Sequence, residues 1–215
     1  WKGFQSSAIS CFSFVESLGL TYLPKLLTDS LALTPPVADP RHDGLTPDEQ
    51  HRLGPDLDGA EDPLPLAQRV DLAEGMLRNL GLTDRFATIV SICGHAASMV
   101  NNPYQAGYDC GACGGHSGEP NARVAVALLN DIQVRAGLAD RGIGIPADTW
   151  FVAAVHHTTT DQIEFFGTTG CPATHRDAFS RVQSWIAAGE TATRKERSTR
   201  LGADSTESVS LRARD

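Results

Sequence analysis

The sequence has 215 residues, 41% hydrophobic and 20% charged, with a formal net charge of -8, a composition that can bury a globular core. No Lys/Arg cluster lies on an aromatic-rich stretch, which excludes the basic footprint that nucleic-acid binding needs. The five cysteines are odd in number and no secretion signal accompanies them, so a disulfide framework is not expected and a reducing cytoplasm is.

The longest apolar stretches, Phe86 to Cys93 and Trp150 to Val155, fall far short of the roughly 20 residues that cross a bilayer. The opening Trp1-Lys2-Gly3-Phe4 has neither an initiator Met nor a signal-peptide pattern, so the chain reads as cut from something longer.

In chain order, Ser6 to Leu18 reads as a helix, with Ile9, Phe12, Val15 and Leu18 forming an apolar stripe and Gly19 at its end. Residues 34–65 hold seven of the twelve prolines, too long and irregular a stretch for an ordinary loop of about 4–6 residues. Leu66 to Leu80 is a second helix, with Leu66, Val70, Ala73, Leu77 and Leu80 on one face and Gly81 just past it. Phe86 to Cys93, short and rich in β-branched residues, predicts a strand buried on both faces of a parallel sheet.

A single helix is expected over Asn121 to Ala136, entered at Pro120, with Val124, Ala125, Leu128, Leu129 and Ile132 inside. Thr149 to Val155 predicts another apolar strand, with Ile163 to Phe166 as its partner. The last helix is expected over Thr174 to Ala188, burying Ala178, Phe179, Val182, Trp185 and Ile186, with a capping box from Thr174 and Asp177. From Arg194 the chain is charged and reads as a solvated helix end or a disordered tail. This order implies an α/β fold with a mostly parallel sheet flanked by helices. Functional groups of such sheets gather at the carboxyl edge, where His95 falls.

Cys93 to His116 holds three Cys and two His within a Gly-rich stretch. Zinc prefers thiolate and imidazole donors, and Gly residues let the backbone turn close to an ion. The helix entry that follows Cys110 and Cys113 also favours a thiolate. His95 and Cys110 are the candidate metal ligands. Cys93 reads as a small core residue and His116 as a surface loop residue, while Cys113 is open. The spacing Cys110-x-x-Cys113-x-x-His116, taken with His95, also suits a structural zinc module, and Cys110/Cys113 alone suits a thiol redox protein. The run His156-His157-Thr158-Thr159-Thr160-Asp161 should reach the same edge. It is either a polar turn or a ligand-orienting cluster in which Asp161 supports the metal ligands from behind.

Three segments together resemble the DabA family of inorganic-carbon transporter subunits: Gly94-His95, then Asp109-Cys110-Gly111-Ala112-Cys113-Gly114-Gly115, then Asn121-Ala122-Arg123. Trp150 to Asp161 and Trp1 to Leu18 are similar to family segments as well. That family resembles β-type carbonic anhydrases, whose zinc is held by two Cys, one His and, in a closed state, one Asp. The resemblance implies that His95 and Cys110 are two of the four ligands. It assigns the rest to a Cys-x-Asp-x-Arg motif upstream of Trp1, and no Cys-x-Asp pair occurs in these 215 residues, so the catalytic motif itself is absent from this chain.

The resemblance further implies Zn2+ as cofactor, hydration of CO2 to bicarbonate in the complete complex, and a DabB-like integral membrane cation-translocating subunit as partner. It implies a peripheral location on the cytoplasmic side of the cell inner membrane. The expected organisation is a helical segment at 1–33, a Pro-rich loop or insertion at 34–65, a β-carbonic-anhydrase-like α/β core at 66–190, and a charged tail at 191–215.

Overall fold

The computed structural model describes residues 19–31, 33, 44–46, 48–49, 53–59, 63–97 and 105–202. The expected helix over Ser6 to Leu18, most of the Pro-rich stretch and the chain after Gly202 lie outside them. The chain divides into two compact units, Trp1–Asp43 and Gly44–Asp215, and the division falls inside the Pro-rich stretch. In the first unit a 3-10 turn, Gly19–Tyr22, leads into helix α1, Leu23–Ser30.

The second unit carries the site. Its elements are α2 (Leu66–Asn79), β1 (Ile89–Ala96), α3 (Gln105–Tyr108), α4 (Glu119–Asn130), α5 (Ile132–Asp140), β2 (Trp150–His157), β3 (Gln162–Phe166) and α6 (Arg176–Leu201). The fold is α/β, as the alternation of patterns predicts. The sheet is mixed rather than mostly parallel: β1 pairs with β2 in parallel, and β2 pairs with β3 antiparallel, in the order β1-β2-β3. The four-residue turn between β2 and β3 is too short for a crossover, so those two strands can only run antiparallel.

The main core forms where Val70, Ala73 and Leu77 of α2 meet Leu128 and Leu129 of α4, Val134 and Leu138 of α5, and Phe151 of β2. Val70, Ala73 and Leu77 follow the i, i+3, i+7 spacing that aligns one helix face. Leu66 and Leu80, expected on that face, sit at its ends and are exposed. A second cluster, Ala96, Ala122, Ala153, Val155 and Phe166, continues under the same sheet face. On the opposite face Trp150 and Val152 pack against Phe179 of α6.

Other expectations give way to local chemistry. The single helix over Asn121 to Ala136 is two helices. Asp131 is extended (φ -72, ψ 123) and its carboxylate accepts the backbone N–H groups of Gln133 and Val134, capping α5. An Asp that can satisfy two free helix donors starts a new helix. The break rotates Ile132 outward to 80% exposure instead of inward. Trp185 is likewise exposed rather than buried.

The Thr174/Asp177 capping box does not form: the Thr174 hydroxyl pairs with Nδ1 of His175, whose Nε2 faces the Asp148 carbonyl at 2.6 Å. The strand expected to be buried on both faces exposes Ser91, Cys93 and His95, because β1 is an edge of this sheet and, of its residues on that face, Ile89 is the one packed against the Phe179 cluster. Cys93 is therefore exposed and not a core residue.

Candidate metal centre

β1 delivers His95 to the carboxyl end of the parallel pair. Strand side chains alternate between faces, so Cys93 and His95 share the exposed face of β1, and His95 stands opposite His156 in register. The other strand face is pressed against the loop that enters α4. Gly118 donates its N–H to the His95 carbonyl at 2.8 Å. The two chains approach so closely that a Cβ on Gly94 would stand 2.5 Å from the Gly118 carbonyl oxygen, and one on Gly118 would stand 2.9 Å from the His95 nitrogen.

Two residues beyond His95, the Ala97 N–H donates to the buried carboxylate of Asp109 at 2.8 Å. Asp109 directly precedes Cys110. Cys110 is buried; its N–H donates to the His116 carbonyl, and its own carbonyl accepts from Cys113 and Gly115. The Gly residues at 114 and 115 have φ of +67 and +79, which other side chains rarely adopt, so they allow the loop to double back. The backbone segments bearing His95 and Cys110 are thus tied together through Asp109 and Gly118.

Cys113 is half-buried and its sulfur accepts from the Asn121 amide at 3.2 Å. A hydrogen bond with the Cys110 side chain, and then desolvation, push the Cys113 thiol above its ordinary range, with Asn121 pulling the other way. His116 is exposed. The four-ligand arrangement of His95, Cys110, Cys113 and His116 is absent: among the described residues no set of three or more His, Cys, Asp or Glu groups is placed to hold a metal ion.

Behind the edge lies the turn Thr158 to Asp161. Asp161 is 3% exposed with φ +57, Oδ1 stands 2.8 Å from Arg197 and 3.9 Å from Nε2 of His156, and Oδ2 is buried without a hydrogen-bond partner. A cavity of about 450 Å3 opens at the far end of β2, lined by Asn130, Arg135, Thr149, Trp150 and His175 among others. Its guanidinium, amide and imidazole are spent on protein partners, so the sheet's carboxyl edge remains the better site.

The model of the family described as probable inorganic carbon transporter subunit DabA matches residues 1–215. The chain belongs to the DabA family. It is 47% identical, over its whole length, to probable inorganic carbon transporter subunit DabA 1 of Bradyrhizobium sp. (strain ORS 278), covering 27% of that protein. It is 49% identical over its whole length to the DabA2 subunit of Halothiobacillus neapolitanus, covering 27%. Against the DabA subunit of Chloroflexus aggregans, 95% of the chain aligns at 45% identity, covering 25%. The chain therefore spans about a quarter of the length of the DabA relatives it matches. No solved structure matches it.

Sequence reasoning singled out the DabA segments around His95, Cys110 and Asp161. It included Asp109 only as part of the DabA-like segment and missed its contact with the Ala97 backbone, and it missed Gly118 and Arg197. The only prior signal for Gly118 was a Gly before the helix-entry Pro120, and for Asp109 its position beside Cys110. Arg197 sits in a stretch with no apolar period to mark it as packed.

Proposed function

We propose that this chain contributes half of the zinc site of a DabA subunit in an inorganic-carbon uptake complex, with His95 and Cys110 as its ligands. The observation that carries the reading is the linkage of their two segments at the sheet edge: Gly118 N–H to His95 carbonyl, and Ala97 N–H to the Asp109 carboxylate. The donor chemistry fits, since an imidazole and a thiolate are the groups that zinc prefers. Two donors do not complete a tetrahedron, so the others come from outside this chain, as the family's Cys-x-Asp-x-Arg motif implies.

When bound, zinc supplies the Lewis acidity that makes water a nucleophile toward CO2 near neutral pH. This chain's backbone ties the segments that carry the imidazole and the thiol to the same end of β1. The β-carbonic-anhydrase-like fold belongs to the same reading, as do bicarbonate as product, a DabB-like cation-translocating membrane partner, and a peripheral place on the cytoplasmic side of the inner membrane. Among the described residues no helix is long and apolar enough to cross a membrane.

The thiol-redox alternative requires a Cys110–Cys113 disulfide with a measurable mid-range potential, and finding one would favour it. The test is the metal content of the complete protein and its His95→Ala variant. One zinc per chain in the parent and a large loss in the variant is expected. A parent protein without zinc rules the reading out.

A further inference from the structure

The last turns of α6 carry few apolar side chains, yet the helix continues to Leu201. What it does there is polar. Arg197 donates through Nη1 to the carbonyls of Thr158 at 3.0 Å and Thr159 at 3.1 Å, and its Nη2 meets Asp161 Oδ1 at 2.8 Å. One guanidinium thus collects three acceptors from a single four-residue turn, a task for which its planar fork is suited and an ammonium is not. One helical turn earlier, Arg194 reaches the Thr160 carbonyl at 3.5 Å and Glu190 at 3.6 Å, and Glu190 accepts the Ile163 N–H at 2.7 Å. The helix therefore grips both the turn and the start of β3.

The gripped turn in turn holds β1. Thr158 donates to the Ala96 carbonyl through its N–H at 2.8 Å and through its hydroxyl at 3.2 Å. Ala96 is the residue after His95. His95 itself is also tied, since its carbonyl accepts from Gly118. Asp161 bears a cost for this arrangement: a non-Gly residue at φ +57, with a fully buried carboxylate oxygen that has no partner. Such a residue persists only where its surroundings over-determine it; the ion pair with Arg197 and the Asp161 N–H donated to the His157 carbonyl at 2.8 Å do so together.

We propose that Arg197 and Asp161 are positioning residues for the metal centre: they lock the Thr158–Asp161 turn, which fixes Ala96 and with it the orientation of the His95 imidazole. The link runs Arg197, Thr158 carbonyl, Thr158 N–H, Ala96 carbonyl, His95. Residues behind a ligand that set its orientation typically change metal affinity by about 10- to 100-fold when removed. The inference rests on His95 being a zinc ligand, so the experiment separates the two claims.

In the complete protein, Arg197→Ala and Arg197→Lys are compared with the parent by two measurements: amide hydrogen exchange at Thr158 and zinc release to a chelator. Faster Thr158 exchange in Arg197→Ala is expected whether or not zinc is bound. Zinc release at least about 10-fold faster, with the thermal midpoint retained to within a few degrees and only partial recovery in Arg197→Lys, supports the positioning role. Parent-like Thr158 exchange in Arg197→Ala overturns it. So does faster exchange with zinc release unchanged. A parent protein that holds no zinc overturns the ligand assignment at His95, and the positioning claim with it. In that case altered Thr158 exchange identifies the lock as a purely structural one.

Discussion

Gly94 and Gly118 cross backbone to backbone at the end of β1, and neither leaves room for a side chain: a Cβ on Gly94 would lie 2.5 Å from the Gly118 carbonyl oxygen and 2.7 Å from its carbon. Those neighbours are main-chain atoms, which cannot swing aside as a flexible side chain would. The crossing sets how near the loop bearing Cys110 comes to the strand bearing His95.

Gly94→Ala should therefore separate the two segments. We expect a loss of about 1–3 kcal/mol, the usual range for overpacking, measured by chemical denaturation of the complete protein, together with reduced zinc content. A variant with parent stability would show that the loop can retreat at no cost.

Cys110 and Cys113 should behave differently. Cys110 is buried in the loop tied to β1, while the Cys113 sulfur is engaged by the Asn121 amide. In the complete protein, Cys110→Ser is expected to release most of the zinc and Cys113→Ser to keep close to one per chain, by elemental analysis. Equal loss in both variants would restore the structural zinc module as the better reading.

Cys93 offers a pH test. Although the residue is exposed on its strand face, its sulfur is partly shielded from water, and that desolvation pushes the thiol above the ordinary value of 9.0, opposed by a hydrogen bond from the His156 backbone. The thiolate is the reactive form, so a raised value means less thiolate at any pH below it. In zinc-free protein with the other cysteines replaced by Ser, alkylation of Cys93 should be slower at pH 8 than that of a free cysteine. Its rate should keep rising beyond pH 9.0. A profile that levels off below that point would contradict the assigned environment.

Asp131 separates α4 from α5 by capping the second helix through the N–H groups of Gln133 at 2.7 Å and Val134 at 3.4 Å. It also lies 3.6 Å from Arg69 of α2. Asp131→Ala should cost about 1 kcal/mol in stability and leave zinc content unchanged, seen as a lower thermal midpoint. A large zinc loss would mean that α4 transmits the change to the Gly118 loop.

The strongest local patterns were legible in advance. Helix α2 with Val70, Ala73 and Leu77 inside, the parallel pairing of two apolar strands, and β3 as the partner of β2 all follow from periodicity and chain order. His95 at the carboxyl edge follows from its place just past an apolar run. The break at Asp131 was hidden because Leu128, Leu129 and Ile132 keep a helical period across it, and only the capping geometry shows that Ile132 has turned outward. The exposure of Cys93 was hidden because an apolar run reads the same on a central strand and on a sheet edge.

What the sequence determined by itself is the set of elements, the Cys- and His-bearing segment and the family, since these depend on residue types at short range and on their order. The tertiary structure decided which segments meet: Gly94 with Gly118, Ala97 with Asp109, and Arg197 with the Thr158–Asp161 turn. Those contacts join main-chain atoms to residues 12 to 39 positions away. A hydrogen bond to a backbone carbonyl leaves no periodic mark in a sequence, because every residue has one, so only the folded path of the chain reveals which carbonyl is used.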